Sequence, residues 1–328
     1  MSSDTARHPS IAAYLDALCA AGRANTARAY GNCLDLFARW AGGAGVDLMR
    51  ATSDQLAGYQ LWIASDRTVR TGAVRARSTQ ATAIIVVQSF YRWMCDRDLL
   101  MHDPSASLTV PSQPVNRQVR KDHLTLQEAT ALIQTQAALV DKRAPGTKWR
   151  ALEIRNLAML ALALATGRRV HGLVTLKLHQ IDLDRNEVRI EREKGRTGRV
   201  LPVAAWAMAT VRRYINEARP VTLGGESSPW LFISQCVCAL DTRSVGFVLA
   251  IAVRETIARN PDLTDLPHKR ISTHSLRVSF AHLLFQGGCN IRSINELMLH
   301  QSLSTTARYT PVPLADLRRA LLTTHPRA

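Results

Sequence analysis

The stretch LAMLALALATGRRVHGL, residues 157–173, sets the reading of this chain. Residues 157–165 are apolar without a break, and Thr166-Gly167 and two arginines follow them. Apolar side chains on every face describe a helix that lies inside a core. A glycine directly after it is the residue best able to take the left-handed turn that stops a helix. The pattern predicts a helix over 148–165, closed by Thr166-Gly167, with Arg169 delivered just beyond it. The apolar run is about half of the roughly 20 residues needed to cross a bilayer, so it predicts a buried helix and no membrane span.

Downstream, the period changes. Leu183, Val188, Ile190, Val200, Leu201 and Val203 alternate with polar residues, with turn signals at residues 184–186 and 194–198. That predicts a small antiparallel sheet, followed by helices near 204–218, 242–259, 273–287, 290–299 and 313–322. Upstream, Thr125 with Glu128 three residues later is a capping-box pattern that opens a helix and a domain. Before it, DPSASLTVPSQPVNRQVRKD (103–122) lacks periodicity, holds three prolines and ends basic, as a linker does.

The first hundred residues predict four helices. Ile11, Tyr14, Leu15 and Leu18 mark the first; Tyr30, Leu34, Phe37 and Trp40 the second, from about Thr26 to Gly42-Gly43. Leu56, Tyr59, Leu61 and Trp62 mark the third, capped by Ser53, and Ile84, Ile85, Val87, Phe90, Tyr91 and Met94 the fourth, from near Ser78. Aromatic residues at such spacing predict a core. The expected architecture is mainly α with a small antiparallel β-sheet: a helical bundle over 1–105, a linker over 106–122, and a second domain over 123–328.

The 328 residues carry 42 Lys+Arg against 26 Asp+Glu, a formal net charge of +16. Residues 1–110 hold 11 basic and 9 acidic groups, so most of the excess lies in the C-terminal two-thirds. Such a surplus favours a polyanionic partner, nucleic acid first among them, over a merely solvated basic surface. The six cysteines form no C-x-x-C pair, and no histidine cluster follows Cys236 and Cys238 at zinc-ligand spacing. Reduced, inert thiols and a cytoplasmic location are the expectation, with no metal and no cofactor. MSSDTARHPS carries no signal-like segment.

Five features of the second domain carry chemistry. They are TGRRVHGL with Arg169, EKGRTGRVLP with Lys194 at a hairpin turn, HSLR with His274 and Arg277, LHQSLSTT with His300, and Tyr309 nine residues further on. On a helix, positions i and i+3 share a face, so His274 and Arg277 can address one ligand. Each piece alone has an ordinary reading: a solvated arginine pair, a charged hairpin, a capping or core histidine, a packed tyrosine. Their order and spacing together resemble the tyrosine recombinases, the phage-integrase and Xer-type family. The resemblance spans the C-terminal domain, and the N-terminal bundle looks like the family's SAM-like core-binding domain.

That resemblance implies an enzyme that cuts and rejoins DNA through a 3′-phosphotyrosine on Tyr309. Arg169 and Arg277 would offer planar forks of donors to the phosphate oxygens, which suits charge build-up at phosphorus. A phenol with an unperturbed pKa of about 10 needs a proton acceptor, His274, with His300 donating to a phosphate oxygen or positioning the phenol. Lys194 would protonate the leaving 5′ oxygen, with Arg196 a neighbouring competitor. The two arginines and the lysine supply charge that a metal would otherwise bring.

The implied partner is double-stranded DNA, gripped between two domains by a homo-oligomer that becomes a tetramer on paired sites. Candidate DNA contacts are Arg28, Arg67, Arg70, Arg75, Arg77, Arg117, Arg120, Lys121 and Arg196. Leu314, Leu317, Leu321 and Leu322 form an apolar stripe that either closes its own domain or docks on a neighbouring protomer. Three positions depart from the family pattern: Arg168 stands where Leu is common, Gly172 where a carboxylate is usual, and Leu299 where Gly usually precedes the histidine. These departures keep a rival reading open, a catalytically silent DNA-binding protein of the same fold. A type IB topoisomerase, with the same chemistry but no exchange of partners, is a second rival; the compact N-terminal bundle favours recombination.

Overall fold

A computed structural model describes residues 7–68, 71–112, 122–191 and 198–298. The chain divides into two compact units, Met1–Gln118 and Val119–Ala328. The first is a bundle of α1 (Pro9–Ala20), α2 (Ala24–Ala44), α3 (Ser53–Ser65) and α4 (Arg77–Cys95). Its core is aromatic. The Phe37 ring meets Tyr59 edge-on at 4.9 Å, and Phe90 meets Tyr91 at 5.2 Å. Such edge-to-face pairs add about 0.5–1.5 kcal/mol each beyond the area they bury.

Several expectations for this bundle need correction. Thr52, not Ser53, caps α3: its hydroxyl accepts from the Gln55 amide, and the Gln55 side chain accepts from the Thr52 amide. α2 runs through Gly42-Gly43 and stops at Gly45, whose φ of +66° is the left-handed conformation that ends a helix. Leu61 is 75% exposed, because two residues along a helix from buried Tyr59 is a turn of about 200° to the far side. Ile85, one step around from buried Ile84, is 45% exposed for a similar reason. The bundle also reaches past residue 105. Leu108 is buried, and the Thr109 amide donates to Gln60.

In the second unit, α6 (Lys148–Thr166) is the central element, packed against helices on several sides. Its residues 157–164 are all buried, as an unbroken apolar run requires. Among the helices it meets is α5 (Leu126–Asp141), which starts at the expected capping box of Thr125 and Glu128. After α6, the short α7 (Val170–Val174) leads to a three-stranded antiparallel sheet of order β1 (Ile181–Asp182), β2 (Glu187–Ile190) and β3 (Arg199–Pro202). Val188 faces Leu201 across the strands and both are buried, whereas Val200 points outward, the period-two alternation of a one-sided sheet. The first turn falls where expected, with Asn186 at φ +54°. Most of the second turn, residues 192–197, lies outside the described residues.

The helix expected over 204–218 is longer and broken. α8 (Ala205–Arg213) passes through a π-helical turn, Tyr214–Ala218, into α9 (Arg219–Leu223). Pro220 lacks the amide that an α-helical ladder needs at that point, and a widened turn accommodates its ring. α10 (Thr242–Arg259), α11 (Thr273–Gln286) and α12 (Ile291–Leu297) follow. The helix expected at 313–322 lies outside the described residues. Among the described residues no helix is long and apolar enough to cross a membrane. The six cysteines are all free thiols.

The start of this unit is fastened to α11 and to the residues just before it. The Arg270 amide donates to Asp122 at 2.7 Å, and the Leu124 amide to the buried Ser279 hydroxyl at 2.8 Å. Lys269 Nζ lies 2.7 Å from both carboxylate oxygens of Glu128, whose side chain is 4% exposed. Burial pushes the Glu128 carboxyl up, but bonds from Lys269 and the Thr125 amide outweigh it and hold the group below its ordinary value. A group so depressed contributes stability that is complete above the ordinary carboxylate pKa and fades as pH falls through its folded value. Lys269→Met leaves a buried carboxylate unpaired and is expected to destabilise the protein by about 3 kcal/mol at pH 7. Thermal unfolding from pH 7 to pH 3 checks this: the deficit should shrink in acid as Glu128 protonates, and a pH-independent deficit would contradict the assignment.

Candidate functional site

The site is built around the residue that ends α6. Gly167 has φ +57°, and a side chain there would meet the Phe280 ring, with Cβ only 2.3 Å from Cδ1. Only glycine satisfies both the left-handed turn and the approach of α11. The Gly167 carbonyl then accepts from Arg277 Nη1 at 2.5 Å. Arg277 Nη2 donates to the carbonyl of Met298, just past α12, at 2.6 Å. One buried guanidinium, 3% exposed, thus ties together three separate stretches of chain.

Each stretch carries or approaches one of the residues singled out from sequence. Arg169, two residues beyond Gly167, is exposed, with extended backbone (φ −64°, ψ 144°) at the start of α7. His274 is exposed in the first turn of α11. It is not the helix cap; Ser272 takes that place, accepting from the Ser275 amide at 3.3 Å. Met298 stands two residues before His300. Lys194, His300 and Tyr309 lie outside the described residues; of the other three, Arg277 is bonded to the turn two residues before Arg169 and sits one helical turn after His274 on α11. Arg277 differs from expectation in one respect. Two of its guanidinium nitrogens are turned on backbone carbonyls, so it holds the surrounding segments together.

Of the candidate DNA contacts, Arg28 on α2 and Arg77 at the start of α4 are exposed. Arg67 is exposed but donates from Nη1 to the Gly72 carbonyl at 2.8 Å, within a short hairpin bridged by Arg67 and Val74. Arg75 is less available. Its Nε lies 2.5 Å from Asp66 and its side chain is 18% exposed, so its charge closes that hairpin. Arg70, Arg117, Arg120, Lys121 and Arg196 lie outside the described residues.

Sequence reasoning missed three contributors. Phe280 packs on Gly167 and Met298 offers its carbonyl to Arg277. Arg168 Nε and Nη2 both donate to the Gly172 carbonyl, at 3.1 and 2.9 Å. The glycine of T-G-R-R was a legible signal; a phenylalanine three residues after Arg277 was not.

A helical bundle is followed by a helical unit with a three-stranded sheet, in which Arg277 is bonded to the turn that ends the central helix, two residues before Arg169. The chain belongs to the phage integrase family. The model of that family matches residues 122–313, and that of the phage integrase N-terminal SAM-like domain matches residues 11–98. The chain is 30% identical over 303 residues to the tyrosine recombinase XerD of Ralstonia nicotianae, covering 92% of this chain and 89% of that protein. With the tyrosine recombinase XerC of Mycobacterium leprae the identity is 33% over 257 residues, 78% of this chain and 80% of the relative. Among solved structures, the fold is similar to XerH recombinase bound to palindromic difH substrate in a post-cleavage complex (TM-score 0.67, 20% identity, 94% of this chain and 83% of that one). It is also similar to a lambda integrase dimer bound to a COC′ core site (TM-score 0.59, 17% identity, 92% and 76%).

Gly167→Ala tests the convergence. The added methyl meets Phe280 and the left-handed backbone resists it, so a loss of about 2 kcal/mol or more in chemical denaturation is expected. Adding Phe280→Leu should recover part of it; no recovery would mean that the ring does not set the requirement for glycine.

Proposed function

We propose that this protein is a site-specific DNA recombinase that cuts and rejoins duplex DNA through a 3′-phosphotyrosine on Tyr309. The observation that carries the reading is the Arg277 guanidinium joined to both the Gly167 and Met298 carbonyls. It supports one locus for the turn bearing Arg169, the helix bearing His274, and the segment leading to His300. Family membership, and relatives named as tyrosine recombinases along most of the chain, support the chemistry.

In this reading the Tyr309 hydroxyl attacks the scissile phosphorus as its proton passes to His274. The bond to the 5′ oxygen breaks and that oxygen takes a proton from Lys194. Arg169 and Arg277 stabilise the charge on the non-bridging oxygens, and His300 donates to one of them or orients the phenol. Because the phosphotyrosine keeps the energy of the broken ester, a 5′ hydroxyl from a partner strand reverses the step without an outside energy source. The first unit, with its core reaching through Leu108, is a core-binding domain, the basic stretch from there to 122 a linker, and 123–328 the catalytic domain, closing on duplex DNA in the cytoplasm. Protomers pair on their sites and assemble into a tetramer, in the service of integrating, excising or resolving a mobile element. Arg28, Arg67 and Arg77, with Arg70, Arg117, Arg120, Lys121 and Arg196, contact phosphates and give affinity that falls with salt.

Nicked suicide duplexes carrying the ends of the native element test this. The wild-type protein should form a covalent adduct, seen on denaturing gels, that is absent in Tyr309→Phe. Arg169→Ala should slow adduct formation by about 100–1,000-fold while leaving duplex binding largely intact. Tight, salt-sensitive binding to these ends with no adduct would instead favour the silent DNA-binding protein.

A further inference from the structure

We infer that Arg168 is a positioning residue for Arg169, and that glycine at 172 is what makes room for it. The kinetic part of this inference rests on the recombinase reading above. Arg168 is half-buried, and its side chain folds forward over the four residues that follow it. Nε and Nη2 share one acceptor, the Gly172 carbonyl, at 3.1 and 2.9 Å. On the other side, the Arg168 amide meets the Thr166 hydroxyl at 3.4 Å, and that hydroxyl is itself anchored to the Leu162 carbonyl at 2.6 Å. Arg169 therefore sits inside a loop closed at both ends by its neighbour, and the Arg169 carbonyl is fixed by the Leu173 amide at 3.0 Å.

The space for this clasp exists because residue 172 has no side chain. A Cβ there would lie 2.8 Å from Arg168 Nη2 and 3.4 Å from Cζ. The guanidinium must shift to clear it, and that shift strains its bond to the Gly172 carbonyl. Arg168 in this pose and a side chain at 172 thus compete for the same space. Gly172 is not needed for its backbone, since it is absent from the positive-φ glycines. The two departures from the family pattern, Arg168 and Gly172, thus make one device: a cation tied to a main-chain carbonyl holds the turn that a side-chain carboxylate at 172 would otherwise occupy. A planar guanidinium suits the task, because two nitrogens in a fixed fork reach one oxygen together; an ammonium has no such fork.

A mutant cycle tests the device by separating rate from binding. Single-turnover adduct formation on the nicked duplex should slow by about ten- to a hundredfold in Arg168→Ala, as expected when a transition-state donor is misplaced by an ångström, with duplex affinity unchanged. Gly172→Ala should show the same loss although alanine favours the helix it enters. The double variant should be no slower than either single one, and Arg168→Lys should not rescue. In the free protein, amide exchange at residues 172–175 should speed up in all four variants. Wild-type rates and exchange in Arg168→Ala, or losses that multiply in the double variant, would overturn the inference. Absence of adduct from the unsubstituted protein would count against the recombinase reading, while the exchange measurement would still decide whether Arg168 holds the turn.

Discussion

A guanidinium taken out of water must be surrounded by acceptors, and Arg277 finds them in the main chain. Its bonds to the Gly167 and Met298 carbonyls join the end of the central helix to the end of α12, with α11 between them. Carbonyls at helix ends have no partner within their own helix, so a buried arginine satisfies them and they in turn disperse its charge. Removing the side chain would strand two polar groups and disconnect three segments at once. The approach that makes these bonds possible is close enough to forbid any Cβ at 167. Charge, helix termination and packing therefore meet at one point, and the exposed Arg169 and His274 are placed by it.

The basic surplus divides into two kinds of residue. Some arginines are internal fasteners: Arg150 donates to the Val140 and Arg143 carbonyls, Arg155 to Ile233, Arg219 to Ser228 and Trp230. Others, among them Arg28 and Arg77, face outward. Net charge counts both kinds alike, although only the second contributes freely to an external field. A nucleic-acid interface inferred from the total is thus smaller than the total suggests. Arg75, held by Asp66, shows how a run of arginines can contain a structural member.

Much of the fold was readable because its strongest signals are local. The unbroken apolar run of α6, the alternation at Val188 and Leu201, and the Thr125–Glu128 capping box each act over a few residues. Errors arose where a neighbour in sequence competes for the same role. Thr52 outdid Ser53 as a cap, Gly45 outdid Gly42-Gly43 as a stop, and Leu61 shared the composition of a core position without its angle. For the candidate site, the sequence supplied a list of polar residues in order, of which Arg169, His274 and Arg277 fall among the described residues. The way they are held was not legible, because Phe280 over Gly167, Met298 on Arg277 and Arg168 on Gly172 depend on how the chain returns on itself.

The fastening of residues 122–128 to α11 and to the segment that leads into it has a mechanical side. Asp122, Leu124 and Glu128 hold the segment on either side of His274, to Lys269 and Arg270 before it and to Ser279 after it. A pull on the polypeptide from its N-terminal side would reach the imidazole-bearing helix before it loaded the central helix. Tension there would be shared by three short struts in sequence, the outermost yielding first, so the histidine's perch is also where this unit feels what precedes it.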